Sequence, residues 1–191
     1  MLCLLKIVFF TLLAILFSLP STYSSVAFAA EKKETTVKSS EADSFIETKN
    51  YVHNWVKLPE IAGHNLAGDL IKQGPKRGVL DIVIFIASWC IQCQQLIDYI
   101  QDLENKYLKK NTRFTYIFSH DLKSDALGFS KAFKIKSAII ASHEILKAYH
   151  NPELPSIYIG DRHGWLLARY LKATPKELKK VDEVISYLTA Y

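Results

Sequence analysis

Cys90 and Cys93 stand close together, with only Ile91 and Gln92 between them, and the one other cysteine is Cys3, far off at the N-terminus. A bridge across so short a loop adds little stability, because that gain grows with the length of chain closed. Secreted domains that depend on disulfides carry several widely spaced cysteines instead. Number and spacing therefore point to thiol–disulfide exchange. The reactive form is the thiolate, and a free cysteine with a pKa of about 8.5 is mostly protonated at neutral pH. A helix N-terminus lowers that value, since its unpaired N–H groups and positive partial charge favour an anion. If the pair opens a helix, Cys90 is the exposed attacking thiol. Cys93, one turn inward, is the shielded thiol that resolves the mixed disulfide.

A competing chemistry for the same pattern is half of a zinc knuckle, which needs two further ligands. The chain offers no second cysteine pair, and His143 and His150, seven residues apart, are not tied to the pair by spacing. Soft thiolates also suit Cu(I), so a binding module that holds copper or a partner protein through its two thiols is the rival reading. No third ligand stands at a fixed spacing to support it. No cofactor and no resident metal are expected.

The elements around the pair fit the exchange reading. Val79 to Ala87 (VLDIVIFIA) is an apolar run interrupted only by Asp81, preceded by Gly74-Pro75 and Gly78. Such a run predicts a central strand buried on both faces. After it, Leu96, Ile97, Ile100, Leu103, Tyr107 and Leu108 recur at helical spacing. The cysteines thus lie where a buried strand hands over to a helix. Further on, Arg113–Phe118 reads as a strand, Ser124–Phe133 as a helix capped by Ser124 or Asp125, and Ser142–Tyr149 as a short helix with a capping box. Ser156–Ile159 and Trp165–Tyr170 read as a hairpin across Gly160–Gly164. Thr174, Pro175 and Glu177 open a last helix with a stripe of Leu178, Val181, Val184, Ile185 and Leu188. Before the central strand, Gly63-His64-Asn65 reads as a turn and Leu66–Leu70 as a turn-rich segment. Alternating strands and helices followed by a hairpin predict an α/β fold, with a mixed sheet covered by helices.

The chain has 191 residues and 49% hydrophobic content, enough for one domain with a substantial core. Lys6, the apolar run Ile7–Leu19 and Ala27-Phe28-Ala29 have the three-part layout of a secretory signal peptide over residues 1–29. An uncleaved N-terminal anchor is the alternative. A charged, Ser/Thr-rich linker over residues 30–43 precedes a domain expected at 44–191. Without residues 1–29 the chain keeps 23 Lys and Arg against 19 Asp and Glu, a net charge of +4. That modest, dispersed excess, with no basic patch interleaved with aromatics, argues against nucleic-acid binding.

Ala87-Ser88-Trp89-Cys90 with Cys93 after an apolar strand resembles the active-site segment of the thioredoxin superfamily. Ile145–Tyr149, then Leu154-Pro155-Ser156-Ile157-Tyr158-Ile159-Gly160-Asp161 and Gly164, resemble its TlpA/ResA-like branch, and the likeness covers roughly residues 56–190. The resemblance implies a thioredoxin-like three-layer sandwich with a helical insertion between the second strand and the Leu-Pro segment. It implies that Pro155 is a cis-proline facing the disulfide, that Leu154 pairs with a substrate chain, and that Trp89 shields the disulfide or presents substrate. It also implies an exported, monomeric reductase acting on protein substrates, fed by a membrane electron donor. An oxidase or isomerase is the alternative within the class. The departures lie at Ile84 and Leu96, where relatives carry acids, and at the Ile-Gln spacer. His120-Asp121 ends a predicted strand on the side where such sheets bind ligands, with solvated loop surface the preferred reading over a catalytic role. His163 reads as turn surface, and Lys172, Lys176, Lys179 and Lys180 as the solvated face of the last helix rather than a docking patch.

Overall fold

The structure, a computed structural model, describes residues 56–190. The expected signal segment, the linker and the first residues of the 44–191 domain lie outside the described residues. Among the described residues, no helix is long and apolar enough to cross a membrane.

The elements run β1 (Ile61–Asn65), β2 (Leu70–Gln73), β3 (Leu80–Ile86), α1 (Ile91–Tyr107), β4 (Thr112–Phe118), α2 (Lys123–Ala132), β5 (Ala138–Ile140), α3 (His143–Ala148), β6 (Ser156–Gly160), β7 (Leu166–Tyr170) and α4 (Pro175–Thr189). The strands form one sheet in the order β2-β1-β5-β4-β3-β6-β7. β3 runs parallel to β4 and antiparallel to β6. The sheet is mixed, as the order of elements predicts.

Every residue of β3 is buried, which is why its sequence lacks polar alternation. Ile82, Ile84 and Ile86 pack on one face with Leu96, Ile97 and Ile100 of α1, Phe129 of α2, and Val181 and Ile185 of α4. Val83 and Phe85 pack on the other with Ile145 and Tyr149, from α3 and its C-terminal end. Burying each such aliphatic side chain contributes about 1.5–3 kcal/mol. Asp81, the one polar residue in the run, is 2% exposed and takes the Arg113 Nε–H at 2.5 Å. Register makes the pair, because Asp81 and Arg113 face each other across β3 and β4.

Two local expectations change. Gly63-His64-Asn65 is strand rather than turn, and the chain reverses just after it. There the Asn65 side-chain oxygen accepts the N–H groups of Gly68 and Asp69, both at 2.8 Å. Gly63 is needed for close approach rather than for turning: a Cβ there would lie 3.0 Å from the Ile145 side chain. α2 begins at Lys123 behind Leu122, with no side-chain cap, so neither Ser124 nor Asp125 caps it. β5 has three residues, too few for a strand period to stand out in the sequence.

Candidate active site

Cys90 is the N-cap residue of α1, with extended backbone, and its Sγ accepts the Cys93 N–H at 3.1 Å. The two cysteines form a disulfide with Cα atoms 5.2 Å apart. Turn bonds from Cys90 N–H to the Ala87 carbonyl (3.2 Å) and from Gln94 N–H to the Cys90 carbonyl (3.1 Å) lock the step from strand to helix. No acidic residue lies in the first turn of α1, so the helix N-terminus acts on the sulfur without an opposing carboxylate there. Cys93 is fully buried and Cys90 is 8% exposed, less open than its expected role as the exposed thiol. The exposure belongs to its neighbours, Trp89 at 60% and Ile91 at 71%.

Two loops hold this corner. From the β4 side, the Asp121 carboxylate accepts both the Ser88 N–H and the Ser88 hydroxyl, each at 2.6 Å. The Trp89 indole N–H donates to the His120 carbonyl at 3.2 Å. His120 adopts a left-handed conformation with φ of 55°, which costs a non-glycine residue about 1–2 kcal/mol. The sequence places Asp121 at the end of a strand where such sheets bind ligands but gives it no partner, because Ser88 and Asp121 are 33 residues apart. Parallel pairing of β3 with β4 supplies the missing signal. Ile86 faces Phe118, so both strands end side by side and the loops after them meet.

From the β6 side come Leu154 and Pro155, joined by a cis peptide bond. Ser156 faces Phe85 across the antiparallel pair, which sets Pro155 at the end of β3 that leads to Cys90. Leu154 is half-buried and packs against both core clusters. The Pro155 carbonyl accepts the Ala173 N–H at 2.8 Å, and the Ala173 carbonyl accepts Gln92 Nε2–H at 2.9 Å. The fold therefore gathers Trp89, Cys90, Cys93, Leu154 and Pro155 at one end of the sheet.

No family model matches the chain. A curated relative, the thiol-disulfide oxidoreductase ResA of Bacillus thuringiensis subsp. konkukian (strain 97-27), is 23% identical over 135 residues, covering 70% of this chain and 77% of ResA. ResA of Bacillus cereus (strain ATCC 10987 / NRS 248) matches to the same extent. Among solved structures, a thioredoxin-family thiol:disulfide interchange protein from Chlorobium tepidum TLS superimposes with a TM-score of 0.63 at 17% identity, covering 71% of this chain and 97% of that one. A secreted Mycobacterium tuberculosis disulfide oxidoreductase, homologous to E. coli DsbE, gives a TM-score of 0.59 at 14% identity, covering 67% and 96%. The chain has the thioredoxin-like fold of these structures, and its sequence is similar to that of ResA.

Ile84 and Leu96, where the resemblance implies carboxylates, are buried among apolar side chains. Asp81 is committed to Arg113 near the opposite end of β3, and Asp98 is exposed on α1. Among the described residues, no group of three or more His, Cys, Asp and Glu is gathered as a metal site. His143 and His150 are both exposed, one at the start of α3 and the other past its end. The remaining polar contacts around this thioredoxin-fold pair come from backbone groups and from the amides of Gln92 and Gln94, the latter donating to the Ser88 carbonyl at 2.7 Å.

Proposed function

We infer that this thiol–disulfide oxidoreductase works outside the cytoplasm as a monomeric reductase of protein disulfides, with Cys90 attacking and Cys93 resolving. The observation that carries the reading is the cap geometry, in which Cys90 Sγ accepts the Cys93 N–H at the start of α1. In the reduced protein the same N–H and the helix N-terminus favour a thiolate at position 90. That thiolate attacks one sulfur of a substrate disulfide, forming a mixed disulfide and expelling the other substrate sulfur as a thiolate. Cys93 then gives up its proton and attacks Cys90 Sγ, releasing the second substrate thiolate. The substrate gains two electrons, and the pair becomes the disulfide seen here. A membrane dithiol donor returns the pair to its reduced form by the reverse exchange.

Trp89, largely exposed beside Cys90, presents the substrate, and Leu154 with Pro155 forms the wall along which a substrate chain lies. The signal-like layout of residues 1–29 supports export. Likeness to the ResA/TlpA branch supports the direction of flow. A titration of the pair against glutathione or dithiothreitol buffers tests that direction. A potential near about −270 mV fits a reductase, and one near about −120 mV makes the protein an oxidase.

A further inference from the structure

We propose that Asp121 is a positioning residue for thiol exchange, gripping Ser88 so that Trp89 is held in place to receive a polypeptide substrate beside Cys90. The inference rests on the reading of Cys90 and Cys93 as an exchange pair. Every polar atom of Ser88 is engaged: N–H and hydroxyl go to the two carboxylate oxygens of Asp121 at 2.6 Å, and the carbonyl goes to Gln94 Nε2–H at 2.7 Å. Both oxygens of the Asp121 carboxylate are thus taken up by Ser88, one by its N–H and the other by its hydroxyl. Hydrogen bonds to a charged acceptor are the shorter and stronger kind. The grip extends one residue in each chain, since Trp89 donates its indole N–H to His120. His120 holds a left-handed backbone there without being glycine. Unusual backbone conformations of this kind persist where the surroundings over-determine them, often beside functional sites. Trp89 is 60% exposed, so packing contributes little to fixing its ring, and these bonds hold it instead.

A grip of this kind matters to a bulky partner that must settle against Trp89. It matters little to a small disulfide that needs only the sulfur. In the full-length protein, Asp121→Ala is therefore expected to lower kcat/KM for insulin disulfides about tenfold, mainly through KM, the scale of one hydrogen bond to a charged group. The rate with a small aromatic disulfide should stay within about twofold of the parent. Asp121→Asn keeps one acceptor and should fall between the two. Ser88→Ala, which spares the backbone bond, should shift KM in the same direction by less, and it serves if Asp121→Ala does not fold. The 15N-labelled indole resonance of Trp89, assigned by Trp89→Phe, should move and broaden in Asp121→Ala. Equal losses with both disulfides, or no change in either, overturns the proposal, as does an unmoved indole resonance. If the parent protein exchanges neither disulfide, the exchange reading fails by itself, while the indole resonance still reports on the grip.

Discussion

Gln92 donates its side-chain N–H to the carbonyl of Ala173 at 2.9 Å, so the second spacer residue between the cysteines is bonded to the loop that follows β7. Ala173 is fully buried, and its own N–H goes to the Pro155 carbonyl at 2.8 Å. One backbone residue thus joins the spacer to the Leu154-Pro155 segment. Replacing Gln92 by Leu removes the donor and leaves a buried carbonyl short of its partner. The expected cost is about 1–2 kcal/mol, read from the denaturant midpoint of the oxidised protein.

Gln92→Glu turns the same contact into a sign test. An ionised carboxylate is an acceptor only and would face the Ala173 carbonyl, whereas the protonated acid can donate to it. Where this contact outweighs the preference of the α1 N-terminus for an anion, the folded protein favours the proton, and the glutamate pKa is raised above its unfolded value of about 4.3. The variant should gain stability relative to wild type as pH falls through that raised value. Urea melts at pH 7 and pH 4 check this, and a constant difference between the two speaks against the contact.

Asp81 lies within the strand leading to the cysteines, yet its partner is Arg113, which also donates Nη2–H to the Gly74 carbonyl at 2.8 Å. Removing one member of a buried ion pair strands the other. Arg113→Ala should cost about 3–5 kcal/mol in thermal or chemical unfolding. Because the pair sits at the far end of β3, the reduction potential of a folded Asp81→Asn variant should match wild type. A shifted potential would contradict the purely structural role of this acid.

Asp182 of α4 accepts Lys106 Nζ–H at 2.7 Å and Tyr107 O–H at 2.6 Å from α1. Burial works against its ionisation, but these hydrogen bonds outweigh burial and hold the carboxyl below the ordinary value of 3.8. With the folded pKa depressed, the contribution is complete above the unfolded value and is lost as pH falls through the folded one. Asp182→Asn should therefore be less stable than wild type at neutral pH, with a gap that closes below about pH 4. Thermal melts across that range measure the gap.

The helix boundary at Thr174 gives a smaller test. Thr174 donates its hydroxyl to the Glu177 carboxylate, and the Thr174 N–H donates to the same oxygen at 3.0 Å. Those bonds, the hydroxyl foremost, hold the Glu177 carboxyl below its usual range. Thr174→Ala should cost about 1 kcal/mol in denaturant unfolding.

Elements whose signal is local were legible in the sequence. The unbroken apolar run of β3, the helical stripe of α1 and the Thr174-Pro175-Glu177 start of α4 each carry their pattern within a few residues. β1 was hidden because Gly63 and Asn65 carry turn chemistry. Gly63 serves close packing under Ile145, and Asn65 closes the turn that follows the strand. β5 is held by its neighbours β1 and β4, which a three-residue window cannot show. Cys90, Cys93 and the Leu154-Pro155 segment could be read from motif and resemblance. Asp121 could not, since its contact with Ser88 exists only once β3 and β4 have paired in register.

Trapping with Cys93→Ser bears most directly on the exchange chemistry. The reduced variant, mixed with a protein disulfide, should stall as a mixed disulfide, with mass spectrometry locating the bond at Cys90. Cys90→Ser should form no adduct and turn over no substrate. Exchange that survives in Cys90→Ser, or a Cys93→Ser protein that traps nothing while the parent turns substrate over, would contradict the assignment of Cys90 as the attacking thiol.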